Sequence, residues 1–243
     1  FRRVLFRSYY NLEGMVVYMT RLHFDLELKN MHNQLEDMCE LVQGLIKEAI
    51  TALVSSDIEL AKSVYSQGSM VNDFEHKIER MCLNLIARQQ PLATDLRRIS
   101  AALKIITDME RIGDQAEDIC MLTIKMANFD EHMQPPADLT EMANKVAVMV
   151  NNAIDSYIRL DIEAADKVCD SDDEIDSMFA QIINELGVII QNGSNSVLNT
   201  VNYVLVAKYL ERIADHATNI AEWVIFIVTG EHKEGSTNHF LDN

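Results

Sequence analysis

The sequence predicts an all-α protein built from two tandem three-helix bundles. Only three prolines and eight glycines interrupt 243 residues that are otherwise rich in leucine, isoleucine, alanine, methionine, glutamate and lysine. This composition favours a few long helices, because proline and glycine are the residues that most often end a helix. The second half of the chain also repeats the first, so we expect six helices arranged as two similar bundles.

The first half contains three successive helical patterns, in which apolar residues recur at steps of three and four. Ser56 is expected to cap the second helix, and Pro91 marks the turn before the third. The expected spans are 21–55, 57–88 and 94–127.

The second half repeats these patterns after a linker. The only Pro-Pro pair lies in residues 128–137, the clearest linker in the chain. Beyond it, the first two helical patterns recur at an offset of 104 residues and the third recurs at 101. The expected domains are a first repeat over 19–127 and a second over 138–230, followed by a polar tail over 231–243. We interpret residues 1–18, which precede Met19, as an upstream or non-native leader outside the repeats.

The charge and the cysteines narrow the class of protein. A net charge of −17 argues against a nucleic-acid partner, because neutralising phosphates requires clustered lysine and arginine. No apolar run approaches the roughly 20 residues that span a bilayer, so we expect no direct membrane insertion. The four cysteines form no CxxC pair, and we expect them to be reduced and mostly buried in a cytoplasmic protein.

An acidic motif occurs once in the third helix of each repeat, as DMERIGDQAEDIC at 108–120 and YLERIADHATNIA at 209–221. Side chains four residues apart lie on the same face of a helix. Each motif therefore presents a row of oxygen donors, which we call an acidic ladder. The first ladder is Glu110, Asp114 and Asp118, and the second is Glu211, Asp215 and Asn219, with Glu222 further along the same line.

Three interpretations of the ladders are open at this stage. One is a solvated helix face, since like charges four residues apart cost only about 0.2–0.5 kcal/mol per exposed pair. A second is a site for bridged metal ions, because Mg²⁺, Mn²⁺, Ca²⁺ and iron accept carboxylate and amide oxygens. Asn72 and Asp176, at equivalent positions in the neighbouring helices, are then the candidate further ligands, and an ordinary exposed polar position is the alternative for both.

The third interpretation is a ferritin-like di-iron oxidase. That chemistry places a histidine three residues after a bridging glutamate, and Gly113 and Ala214 occupy those positions here. His216 lies beside the second ladder, and we expect it to be solvent-facing or hydrogen-bonded. The chain has no GxSxG or HExxH motif and no glycine-rich phosphate loop, so we expect no enzymatic activity.

Two tandem three-helix repeats that each end in an ERxxD helix resemble the PhoU family of phosphate-specific transport system accessory proteins. The resemblance covers residues 19–230, and its most specific segments are RQQPLATDLRRI, MERIGDQAEDI and LERIADHATNIAE. It implies that the ERxxD acids, Glu110 with Asp114 and Glu211 with Asp215, bind multinuclear metal clusters. Iron is the metal that we expect, with zinc, manganese or magnesium as alternatives.

The resemblance also implies a cytoplasmic, homodimeric regulator that represses the phosphate-starvation response. Such a regulator links the ATPase subunit of a phosphate ABC transporter to a sensor histidine kinase. A metal-independent helical adaptor is the main alternative.

Several departures from the repeat predict that the two metal sites differ. Asp118 becomes Asn219, Met121 is the counterpart of Glu222, and the basic turn DLRR at 95–98 has no equivalent in the second repeat. Gly68 stands where the second repeat has Asp172, which predicts fewer ligands across the helices of the first repeat.

Overall fold

The structure, a computed structural model, describes residues 2–89, 91–129, 133–192 and 197–233, without the side chains of residues 2–20 and 89. Within these ranges the chain is helical and forms no strand. The helices are α1 (Arg2–Ser55), α2 (Ile58–Gln89), α3 (Ala93–Met126), α4 (Ala137–Arg159), α5 (Ile162–Asp170), α6 (Asp172–Gln191) and α7 (Val197–Thr229).

The predicted all-α tandem repeat is confirmed. Helices α2 and α3 begin and end within one residue of their expected bounds. The fifth expected helix is interrupted at Ser171, which separates α5 from α6. Helix α1 begins at Arg2, so most of the segment interpreted as a leader continues this helix. The polar tail beyond Lys233 lies outside the described residues.

The turns that precede α2 and α5 correct the expectation that Ser56 caps a helix. Ser56 has φ 54°, and the carboxylate of Asp57 accepts a hydrogen bond from the backbone N–H three residues further on, at 3.0 Å. At the equivalent place, Leu160 has φ 51° and Asp161 accepts the same bond at 3.1 Å. In both repeats, therefore, a left-handed residue ends one helix and an aspartate caps the next.

The two repeats share one apolar core. Helices α1, α2 and α3 pack together in the first repeat, and α4, α5 and α6 pack around α7 in the second. Helix α3 lies against α7 and joins the repeats, so the two helices that carry the acidic ladders are also the central ones. None of the helices in the described ranges is both long and apolar enough to cross a membrane.

The cysteines are free thiols. Cys39, Cys82 and Cys120 are buried and Cys169 is partly buried. Burial raises the pKa of each of the three buried thiols to about 12, so they stay protonated at neutral pH. This agrees with the expectation of reduced, mostly buried cysteines.

Asp57→Ala and Asp161→Ala are each expected to lower the free energy of unfolding by about 1 kcal/mol, because each removes the acceptor for an otherwise unpaired helix N–H. In a chain of this size, such a loss lowers the melting temperature by about 2–4 °C, measurable by circular dichroism. The Asp→Asn variants keep an acceptor oxygen and should melt close to the wild type. Equal losses in the Ala and Asn variants would show that charge, and not capping, carries the effect.

Candidate functional site

The first acidic ladder lies along the contact between helices α2 and α3. A Cβ built at Gly113 would lie 3.3 Å from the methyl groups of Val71, so the two backbones approach closely there. Because numbers rise along α2 as they fall along α3, the helices are antiparallel. The residues that face each other are Gly68 with Glu117, Val71 with Gly113, and Glu75 with Glu110. We call this the first seam, with acids Glu75, Glu110, Asp114, Glu117 and Asp118.

Burial and neighbouring charges raise the pKa of three acids in the first seam. Burial, then the charges of Asp114 and Glu75, raise the pKa of Glu110. Burial and Asp118 raise the pKa of Asp114, and burial with both aspartates raises that of Glu117. In the part of the chain that the structure describes, no lysine or arginine lies within ion-pair distance of any of these five acids. The first seam therefore carries negative charge that no lysine or arginine ion pair neutralises, and the charge of Arg111 offsets only part of the repulsion at Glu110.

Asn72 adds an unsatisfied oxygen to the first seam. It lies on α2 about one turn from both Gly68 and Glu75, so it belongs to the same face. Its Oδ1 is buried and has no hydrogen-bond partner among the described residues. An unpaired buried acceptor costs about 1–3 kcal/mol, which a bound cation would offset. An orphaned amide oxygen beside carboxylates fits the donor set of a hard or borderline metal ion.

The second acidic ladder lies between α6 and α7, and we call its acids Asp172, Asp176, Glu211 and Asp215 the second seam. Burial, then the charges of Asp215 and Asp176, raise the pKa of Asp172 to about 6. Burial, then Glu211 and Asp176, raise the pKa of Asp215. Unlike the first seam, this one has a basic partner, because the Lys208 Nζ lies 2.6 and 2.5 Å from the two carboxylate oxygens of Glu211.

At one equivalent position, the two seams carry a carboxylate on different helices of the pair. Gly68 and Glu117 are the counterparts of Asp172 and Thr218. Because Gly68 has no side chain, Glu117 reaches across it from α3, and a Cβ at position 68 would lie 1.3 Å from the Glu117 Oε1. In the second seam Asp172 supplies the carboxylate from α6, opposite the shorter Thr218. The expectation that Gly68 leaves the first repeat with fewer ligands across the helices stays a prediction, although Glu117 supplies a carboxylate at this level from α3.

Two ladder residues contact the other repeat. The Asp108 Oδ1 on α3 lies 2.9 Å from the His216 Nδ1 and accepts a hydrogen bond from the Asn219 Nδ2 at 3.2 Å. In the equivalent contact, Asp118 lies beside Tyr209, and burial together with this charge raises the pKa of the Tyr209 hydroxyl. Asp118 and Asn219 thus help to join the repeats, and His216 is hydrogen-bonded, one of the two states expected from the sequence.

Glu222 lies apart from the second seam. Burial raises the pKa of its carboxyl, whereas the charges of Lys233 and His232 lower it. Both of these basic residues follow α7, and His232 stacks on Phe226 with ring centroids 4.2 Å apart. Glu222 therefore belongs to the contact between α7 and the segment after it.

The structure brings most of the predicted donors together. Glu110, Asp114, Asp118 and Asn72 share the first seam, Glu211, Asp215 and Asp176 share the second, and Asn219 and Glu222 lie outside both. In the described ranges, no three histidine, cysteine, aspartate or glutamate side chains are arranged to hold a metal ion. Metal binding is therefore still a prediction at this point.

Sequence reasoning missed two acids, Glu75 and Glu117, and named Asp172 only as the counterpart of Gly68. Glu75 and Glu117 were hidden by the comparison of repeats, because their counterparts are Phe179 and Thr218. The seven-residue spacing between Glu110 and Glu117 was the available signal, since it places both on one helix face.

These features define a class of helical proteins with two tandem three-helix repeats, each with an acidic seam beside the helix that joins it to the other repeat. The PhoU domain model matches residues 35–123 and 139–224, which together make up more than half of the chain. The chain therefore belongs to the PhoU family.

Relatives match over most of their length. The chain is 36% identical over 214 residues to a phosphate-specific transport system accessory protein PhoU homolog of Clostridium acetobutylicum, covering 88% of this chain and 97% of that protein. It is 31% identical to the Rhizobium meliloti homolog, with coverages of 87% and 90%. The crystal structure of PhoU from Pseudomonas aeruginosa superimposes with a TM-score of 0.83 at 32% identity, covering 86% of this chain and all of that one, 100%.

Moving the carboxylate from one helix to the other tests the first seam. Gly68→Asp alone is expected to lower the stability of the metal-free protein by about 1 kcal/mol, or about 2–4 °C in melting temperature, because the new side chain overlaps and repels Glu117. Glu117→Thr alone should be nearly neutral. The double variant reproduces the pair of the second repeat and should recover most of the loss in a thermal double-mutant cycle. Additive effects would contradict the contact.

Asp172→Asn is expected to raise the melting temperature of the metal-free protein at pH 7.5 by about 2–4 °C, equivalent to about 1 kcal/mol after allowance for solvent screening. The reason is that a neutral amide no longer repels Asp215 and Asp176. Asp155→Asn removes the same charge from an exposed position on α4 and should change little. A similar gain in both variants would assign the effect to the net charge of the chain instead.

Proposed function

We propose that this chain is an accessory regulator of phosphate-specific transport that binds metal ions in its two acidic seams. The observation that carries the proposal is that both matched segments end in a helix that bears a seam. Relatives that match nearly the whole chain are phosphate-specific transport system accessory proteins. The proposed role is regulatory and not catalytic.

The first seam has the donor chemistry for a multinuclear site. The Asp114 carboxylate is close enough to raise the pKa of both Glu110 and Glu117, and carboxylates can bridge neighbouring ions. Asn72 would add its orphaned amide oxygen. A bound cluster supplies positive charge that offsets the repulsion, with iron as the expected metal and zinc, manganese or magnesium as alternatives. Stiffening of the α2–α3 pair follows from this neutralisation.

The second seam should bind metal more weakly. Asp172, Asp176 and Asp215 supply its other carboxylates, and Glu211 is paired with Lys208. A metal ion has to compete with the Lys208 ammonium for Glu211, and the first seam has no such competitor. We therefore expect the first seam to fill at a lower metal concentration.

We further propose that a cytoplasmic homodimer of this chain contacts the ATPase subunit of the phosphate ABC transporter and a sensor histidine kinase, and so represses the phosphate-starvation response. One surface suits such contacts. Val197, Val201 and Leu205 form an exposed apolar row on α7, while the last two have Ser100 and Lys104 as counterparts on α3. Exposed apolar rows of this kind are typical of protein-binding surfaces.

A metal-independent adaptor is the second candidate. It is favoured by the observation that no three acidic, histidine or cysteine side chains in the described part of the chain are arranged around a common ion. A ferritin-like oxidase is disfavoured by packing as well as by sequence. A Cβ at position 113 would already lie 3.3 Å from Val71, so a histidine there would require Val71 to move.

Elemental analysis separates the metal-binding regulator from the adaptor. Protein purified without chelator or an affinity metal column is expected to contain several equivalents of a transition metal per chain. The quadruple variant with Glu110, Asp114, Glu211 and Asp215 changed to Ala should lose it, because the paired ladder acids are removed from both seams. A matched control removes four exposed acids elsewhere, namely Asp37, Glu59, Asp155 and Glu163. Unchanged metal in the seam variant would refute the assignment.

A chelator provides a second readout on the wild type. It should lower the melting temperature, because a ligand that binds only the folded state stabilises it, by about 2.7 kcal/mol at a hundredfold excess over its Kd. A folded, metal-free protein whose melting is unaffected would favour the adaptor. Repression of a phosphate-starvation reporter, in bacteria that lack their own PhoU, tests the regulatory role apart from the metal.

A further inference from the structure

A cavity of about 240 Å³ lies where the two repeats meet. Its walls come from α1 and α3 of the first repeat and from α4 and α7 of the second. Its lining includes the polar residues His32, Glu36, Arg98 and Tyr157 and the apolar residues Leu160 and Ile227. At about 30 Å³ per water molecule, this volume suits a small ion with its solvent, and it is below the usual range of pockets for larger ligands.

Arg98 is the residue of the basic DLRR turn that has no structural partner. Asp95, which opens the turn, is buried and paired with Arg21 at 2.8 Å. The Arg97 guanidinium lies against Gly230 at the end of α7, a residue with φ 83°. Arg98 lines the cavity and forms no ion pair or hydrogen bond with any described residue. Asp95 and Arg97 thus contact other parts of the chain, and the Arg98 guanidinium is the charged group of this turn that lines the cavity.

His32 and Tyr157 together have one hydrogen-bond donor that their mutual hydrogen bond does not use. The His32 Nδ1 lies 2.9 Å from the Tyr157 hydroxyl, which is attached to a buried ring. Burial, then the charge of Arg98, lower the pKa of His32, so its imidazole is neutral at pH 7. The pair then contains one N–H and one O–H, and their mutual bond uses one of them. Whichever tautomer is present, the other donor stays available.

Glu36 supplies an acceptor in the same cavity. A carboxylate repels an anion that carries no proton, but it accepts a hydrogen bond from one that does. Phosphate keeps at least one proton at neutral pH, whereas sulfate keeps none. A cavity with a free guanidinium, one further donor and one carboxylate therefore matches a protonated oxyanion.

We propose that this cavity binds inorganic orthophosphate in its protonated form. Arg98 pairs with the phosphate oxygens, the His32–Tyr157 pair donates to another oxygen, and Glu36 accepts from the P–OH group. Because its walls come from both repeats, bound phosphate holds the repeats together. The inference goes beyond the proposed function, since it makes phosphate a ligand of the regulator itself. No seam residue lines the cavity, so the two proposals succeed or fail separately.

Isothermal titration calorimetry on the full chain tests the site, with sodium phosphate and sodium sulfate compared at equal ionic strength. We expect phosphate to bind and sulfate to bind at least about tenfold more weakly. Arg98→Ala should weaken phosphate binding by about tenfold or more, because charge-assisted hydrogen bonds are lost. Arg97→Ala removes the same charge from the neighbouring position and should keep the affinity within about twofold. Glu36→Gln should reduce the ratio of the phosphate affinity to the sulfate affinity.

Three results would overturn the proposal. The first is an absence of phosphate binding at phosphate concentrations up to about 20 mM. The second is an equal loss of phosphate affinity in the Arg97→Ala and Arg98→Ala variants. The third is loss of binding in the quadruple seam variant, which would show that phosphate binds to metal ions in the seams. Circular dichroism of each variant confirms that the chain is folded.

Discussion

The buried contact between α3 and α7 is the constraint on which the rest of the structure depends. Each is the last helix of its repeat, and each also packs against the other helices of that repeat. Asp108 is buried at this contact and depends on His216 and Asn219 for its hydrogen bonds, and a buried carboxylate that loses its partners is strongly destabilising. Because both seams lie on these helices, the contact also fixes the distance between them.

The acids of the seams work against the stability of the fold. Partial burial and neighbouring charges raise the pKa of several of them, including Glu110 and Asp172, so the metal-free protein carries a repulsion that it does not need for folding. Natural chains tend to keep such conflicts where function requires them. The two repeats differ in how they handle it, since Lys208 offsets part of the charge in the second seam and Thr107 occupies the equivalent place in the first.

Local periodicity was enough to predict the helices, because apolar spacing and turn residues lie close together in sequence. It predicted the ends of α2 and α3 to within one residue, but missed the interruption at Ser171, where the apolar pattern continues. The site was predicted less completely, because a row on one helix does not reveal what faces it. Glu117 and Asp172 depend on the antiparallel register of two helices, and the position of Arg98 depends on packing between repeats.

The pairs Gly68 with Glu117 and Asp172 with Thr218 show that the two repeats place an acid at the same level from opposite helices. A column-by-column alignment of the repeats would score both positions as losses of an acid. In space, both repeats have a carboxylate at the same level along the paired helices. In the first repeat it belongs to Glu117 on α3, and in the second it belongs to Asp172 on α6. In proteins of this architecture, the acidic side chains of the two repeats are therefore better compared by their position along the paired helices than by residue number.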